Sequence, residues 1–208
     1  RIKAHIDRRP ETITKRMAAI RELIETAKSI GEQERLADGY DLYVYDLIEL
    51  GQIDLADEMI EAQSRVAQEI KQPFQMHVAV VFQTMRAIMR GEFEQAEHLA
   101  KEAADLSQQI GIAEMDGIYG IHMFTIRREQ GRINEDAPIV KLVVANNPES
   151  SAWRPGLALI YRILGQREAC QAIFASLASD GFAYIPQDSL WVATLAYLSE
   201  VCAFLEDG

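Results

Sequence analysis

The chain is 208 residues long with a mass of 23.4 kDa, enough for one large domain or one repeat array with a core of its own. Hydrophobic residues make up 49% and charged residues 25%, with 12 glycines and 6 prolines, which excludes disordered, collagen-like and low-complexity classes. Against 21 Lys and Arg stand 32 Asp and Glu, so the net charge is −11 and direct nucleic-acid binding by the surface as a whole is not expected.

The first thirty residues run against this balance. They hold eight bases (Arg1, Lys3, Arg8, Arg9, Lys15, Arg16, Arg21, Lys28) and four acids (Asp7, Glu11, Glu22, Glu25). A nucleic-acid or lipid contact is one reading of this segment; a solvated helix face or a junction to something upstream is the commoner use of such a charge run. The sequence opens on Arg1 rather than Met, so we expect a piece of a longer chain. Residues 1–32 are assigned to this basic segment and a capping or linking helix near 11–30.

A repeat follows. Gly51, Gly91 and Gly131 are spaced by 40, each between two apolar helical patterns, and Gly31 and Gly111 lie 80 apart. The intermediate position is Lys71, where Pro73 is expected to stop the helix instead. After the glycine, which can take the left-handed conformation that ends a helix, comes an apolar plug at Ile53, Phe93 and Ile133. A small residue five positions after the glycine, Ala56 or Ala96, lets helices approach closely; Asp136 and Cys170 fill the same column later. The predicted hairpins are 33–50 with 52–70, 74–90 with 92–110, 114–130 with 133–146, and 151–164 with 166–179, and a final helix spans 188–205. The fold class is therefore all-α, an α-solenoid of helical hairpins over 33–208 with a period of about 40 residues. Pro138 and the shorter 34-residue step to Gly165 mark 135–150 as the weakest joint. Ser179 to Pro186 reads as a turn-rich loop, and Asp207-Gly208 as one more turn. The longest apolar stretch, Met76 to Met89, contains His77, Gln83, Thr84 and Arg86, so no membrane span is expected.

Apolar first helix, glycine turn, alanine and amphipathic second helix together resemble the tetratricopeptide repeat, lengthened from 34 to 40 residues. The block running through Ser151 to Ala158, Leu164 to Ala169, Phe174, Leu177, Asp180 to Ala183, Pro186, Trp191 and Leu198 to Leu205 is similar to the tetratricopeptide arms of large bacterial STAND-type ATPase regulators. In those proteins a class III nucleotide cyclase or a LuxR-type DNA-binding domain is joined to the ATPase and the arm. The resemblance implies a non-catalytic arm that senses, binds or assembles, and the sparse cysteines fit a reducing, cytoplasmic setting. His77, Arg86 and Asp136 depart from the small or apolar residues usual in their columns.

No catalytic constellation is legible. There is no phosphate-binding G-x-x-x-x-G-K-[ST] loop, no H-E-x-x-H among His5, His77, His98 and His122, no Glu-x-x-His and no G-x-S-x-G. No catalytic residue, metal ligand or cofactor is therefore assigned. Glu92, Glu94 and Glu97 sit on a helix first turn, where acids complement the dipole. Cys170 and Cys202, 32 residues apart, are too few for a disulfide framework, and Cys170 reads as a buried packing residue. Trp153 and Trp191 read as packing residues between hairpins, and of Tyr40, Tyr43 and Tyr45 the last is expected to be exposed.

If first helices line the inner side, repeat alignment brings Tyr45, Val81, Met85, Ile88, Met89, Ile121, Thr125 and Arg128 to one groove, with Arg86, Arg90, Arg127 and Arg128 available for carboxylates at the rim. Its expected occupant is a protein or peptide segment, an upstream domain of the same polypeptide or a second copy of the chain; closure of the superhelix on itself would bury the same face. A metabolite-sensing pocket is the alternative function, and an enzyme a distant third.

Overall fold

Left-handed residues close helices at 31, 51, 71, 91, 111 and 131, at 20-residue intervals. Five of the six are glycines with φ between 69° and 74°. At Gly31, Gly51 and Gly91 the following N–H reaches back to a carbonyl of the finished helix, Glu32 to Ala27, Gln52 to Leu47 and Glu92 to Ala87, at 2.9–3.0 Å. These are Schellman closures, which satisfy carbonyls that a helix end otherwise leaves bare.

The computed structural model describes residues 10–111, 116–146, 153–183, 185 and 190–206. Among them are ten α-helices and no strand: α1 (Ile13–Ile30), α2 (Gln33–Glu49), α3 (Ile53–Ile70), α4 (Pro73–Arg90), α5 (Phe93–Ile110), α6 (Asp116–Glu129), α7 (Ala137–Asn146), α8 (Arg154–Ile163), α9 (Arg167–Ala178) and α10 (Trp191–Leu205). Each overlaps a helix expected from the sequence, although α7 begins at Ala137 rather than at 133. The expected starts at 114, 151 and 188 lie outside the described residues, as do the basic positions before Pro10, Pro186 in its loop, and Asp207-Gly208. No described helix is long and apolar enough to cross a membrane.

Two punctuation marks act otherwise than expected. Pro73 does not stop α3; it is the first residue of α4, where its fixed φ and missing N–H cost nothing. Gln72 caps that helix, its side-chain oxygen accepting from Gln75 N–H at 2.8 Å. What closes α3 is Lys71, which takes φ 51° although it carries a Cβ, its N–H bonded to Ala67 O. Holding an L side chain there costs about 1 kcal/mol. Lys71→Gly is therefore expected to raise stability by about that amount in urea unfolding, and a loss would show that the lysine side chain has a stabilising contact of its own. Pro138 likewise belongs to the first turn of α7, after a 3-10 turn, Ile133–Glu135, whose Ile133 is buried.

The chain forms two compact units, residues 1–126 and 127–208, dividing within α6. In the first, successive helices pack on one another in chain order. Met17, Ile20, Ile24 and Ala27 of α1 meet Leu36, Tyr40, Tyr43 and Leu47 of α2, with Ala56 and Val66 of α3. A second cluster joins Val44, Ile60 and Phe82 of α2, α3 and α4, and a third joins Ala87, Ala96 and Ile126 of α4, α5 and α6. Small residues set the approach: Ala56 and Ala96 are fully buried, and a Cβ on Gly39 would stand 2.7 Å from Ile24 Cγ1. Each helix thus buries an apolar stripe on its neighbours, the packing of an α-solenoid.

Charged groups are buried with partners. Arg16 of α1, near the basic end, is 7% exposed and donates to Asp46 at 2.9 Å and Glu49 at 2.9 Å on α2. Gln63, Gln75 and Asp38 form a second buried bridge between α3, α4 and α2.

In the second unit α8, α9 and α10 surround Ala158, Cys170, Phe174, Leu177, Leu198, Val201 and Leu205, with Trp191 packed against them. The Arg167 guanidinium donates to the Phe204 and Leu205 carbonyls at 2.7 and 2.8 Å, a cation at the C-terminal end of α10, where the helix dipole is negative.

Candidate functional site

Seven of the eight residues expected to line a groove lie in the first unit. Tyr45, Val81, Met85, Ile88, Ile121 and Thr125 are half-buried, and Met89 is 49% exposed. Tyr45 and Met85 lean on the Val44, Ile60 and Phe82 cluster, the Tyr45 and Phe82 rings meeting edge-on at 5.4 Å. Ile88 leans on the Ala87, Ala96 and Ile126 cluster. Thr125 spends its hydroxyl on the Ile121 carbonyl of its own helix at 2.9 Å. Tyr40 and Tyr43 are buried, so Tyr45 is the most exposed of the three tyrosines, though still half-covered.

Arg128 belongs to the second unit, where it donates to Glu200 at 2.6 Å and lies over the Tyr197 ring. The other arginines expected at a rim are also engaged internally: Arg127 with Glu135 at 3.2 Å, and Arg86 and Arg90 both with Asp57. Each of the four arginines expected at a rim thus already meets a carboxylate of the chain, Arg90 through a single nitrogen and with its side chain half exposed. In an acidic chain, internal carboxylates are near at hand to claim the arginines first.

The Asp57 pairing opens onto a cleft of about 450 Å³ that sequence reasoning missed. One wall is a single face of α3, with Asp57, Glu61, Ser64, Arg65 and Gln68 on successive turns. The floor is α4 through Gln83, Arg86, Ala87 and Arg90, and the far wall is α5 through Gln95 and Leu99 with the Glu92 that precedes it. At 100° per residue, Gln83, Arg86 and Arg90 stand on the opposite side of α4 from Val81, Met85 and Ile88. The cleft and the apolar stripe are thus two different surfaces of one helix, and Met89 stands at the edge between them, its sulfur accepting from Arg86 Nη1 at 3.4 Å.

Arg86 is 8% exposed and reaches Asp57 through Nε and Nη2, the latter at 2.9 Å; Arg90 adds a third contact at 3.0 Å. The hydrogen bond from Arg86, outweighing burial, holds the Asp57 carboxyl below its ordinary range, and the same bond pushes the Arg86 guanidinium up. Lining charges balance, with Arg65, Arg86 and Arg90 facing Asp57, Glu61 and Glu92. The only sequence signal was Arg86 itself, a large cation in a column normally apolar.

Two histidines are buried in the same unit. His77 Nδ1 lies 2.9 Å from the Ala103 carbonyl, which can only accept, so the proton sits on Nδ1 and Nε2 is left without a partner. His122 on α6 is 9% exposed, and its Nδ1 also lacks a partner. Burial, then the charge of His77, pushes His122 down to about 4; burial lowers His77 too, against the Ala103 hydrogen bond. Among the described residues no three His, Cys, Asp or Glu stand together as a metal site. Cys170 is fully buried, its thiol on the Ala158 carbonyl at 3.4 Å, and burial raises its pKa, so it packs rather than attacks.

Compared with known proteins, the chain matches no family model, no curated protein and no solved structure.

Proposed function

We propose that this chain is a non-catalytic arm of tetratricopeptide-like hairpins in a larger cytoplasmic signalling ATPase or transcriptional regulator, and that it holds a protein or peptide segment along the inner side of its first helices. The observation that carries this reading is the half-exposed apolar stripe of Tyr45, Val81, Met85, Ile88 and Ile121, contributed by α2, α4 and α6 in one unit. Apolar side chains left part-exposed on successive repeats suit a second apolar segment, and methionine adapts to varied partners. The alternative, a small-molecule sensor, is favoured by the cleft on the other side of α4, whose volume falls in the range of ligand pockets.

A photo-crosslinking residue at position 81 is expected to capture a protein partner or a second copy in cells, while the same residue at the exposed position 102 on α5 captures neither. Met89→Glu is the companion variant: Met89 lies at the exposed edge, so helical circular dichroism is expected to stay intact while capture falls at least tenfold. Met85 is a poorer choice because it packs on Phe82, and a charge there would unfold the core. Equal capture at 81 and 102, or unfolding of Met89→Glu, would remove the stripe from consideration as a docking face.

A further inference from the structure

We propose that the cleft between α3 and α5 binds a short extended peptide, taking its main-chain amides on Gln68, Gln83 and Gln95 and one acidic side chain on Arg90. This concerns the surface of α4 opposite the apolar stripe and stands whether or not that stripe holds a partner.

The length of the cleft comes first. From Asp57 to Gln68 the α3 wall runs eleven residues, about 16 Å at 1.5 Å per residue, which matches about five residues of extended chain. The lining chemistry comes next. Three exposed glutamines, one from each helix, stand along the cleft with no side-chain hydrogen bond to another described residue. A glutamine amide offers both a donor and an acceptor, and an extended peptide presents N–H and C=O in alternation, so the two sets match. Beside them Ser64 Oγ is buried and has no partner, one more hydroxyl for an occupant to satisfy.

Charge selects the side chain. Asp57 is shared by two guanidiniums, and Arg86, held through two nitrogens and buried, is spent on it. The triad keeps one unbalanced positive charge, and Arg90 carries it: its side chain is 51% exposed and uses only Nη2 on Asp57. Its other donors can take a carboxylate in the planar fork that guanidinium favours. Glu61 and Glu92 on the two walls oppose a bare anion or a polyanion, so the fit is a largely neutral backbone with a single acidic residue.

The test is titration of the 208-residue chain, followed by amide NMR shifts, with an acetylated and amidated glycine-alanine pentapeptide carrying one central glutamate. Saturable binding is expected, weakened at least tenfold when the central residue is glutamine and at least tenfold by Arg90→Gln, with a several-fold loss for Gln83→Ala and none for Glu102→Gln, an exposed position on α5 outside the cleft. Arg90 and Gln83 are exposed, so both variants are expected to keep the wild-type melting temperature. Absence of saturation, equal binding to Arg90→Gln, or glutarate binding as tightly as the peptide would each overturn the proposal, the last by reducing the cleft to a carboxylate hole.

Discussion

Phe82→Ala is expected to destabilise the first unit by about 3–5 kcal/mol, the range for truncating a buried phenylalanine. Phe82 is 1% exposed and stands where α2, α3 and α4 meet, against Val44, Ile60 and the edge of Tyr45. Removing the ring takes away the contact that ties one hairpin to the next, and a cavity walled by three helices cannot close without moving all of them. Both tryptophans belong to the second unit, so far-ultraviolet circular dichroism in urea is the suitable readout and tryptophan fluorescence follows the other unit. A loss under about 1 kcal/mol would mean that the helices collapse onto the void and that the junction is less rigid than its burial implies.

Mild acid should weaken the same unit. His122 titrates near 4 when folded and near 6.5 when unfolded, so between these values the unfolded chain binds a proton that the folded chain refuses. The folded state keeps its full advantage above pH 6.5 and loses it as pH falls towards 4. For a shift of this size the loss approaches about 3 kcal/mol. His77 acts in the same direction, since its Nε2 has no buried acceptor to receive an added proton. Asp57, lowered below 3.8 by Arg86, gives up its contribution only at still lower pH, so the two windows separate. Urea midpoints of wild type and His122→Phe from pH 7.5 to 4.5 test this: the wild type should decline steeply and the variant much less. Parallel declines would show that the histidine pair does not govern the acid response.

Helix placement was legible because its determinants are local. A glycine at the end of a helix, an apolar plug two residues on and a small residue at five act within two turns, so Gly31, Gly51 and Gly91 announce their closures in sequence. The burial of Ala56, Ala96 and Cys170 follows from the same columns. Lys71 and Pro73 were harder: a left-handed lysine has no sequence mark, and a proline between helices can end one or begin the next.

By itself, then, the sequence determined an all-helical chain, the order of its helices, their length where glycines punctuate the 20-residue step, and the small residues Ala56 and Ala96 at which they cross, since all of these rest on contacts a few residues apart. Only the tertiary structure decided which charges are solvated and which are paired inside. Arg16 meets Asp46 from 30 residues away, and Arg86 meets Asp57 from 29. In sequence an arginine destined for a buried carboxylate looks the same as one destined for water. The difference comes from bringing α3, α4 and α5 together, which assembles the polar cleft on one side of α4 and leaves the apolar stripe on the other.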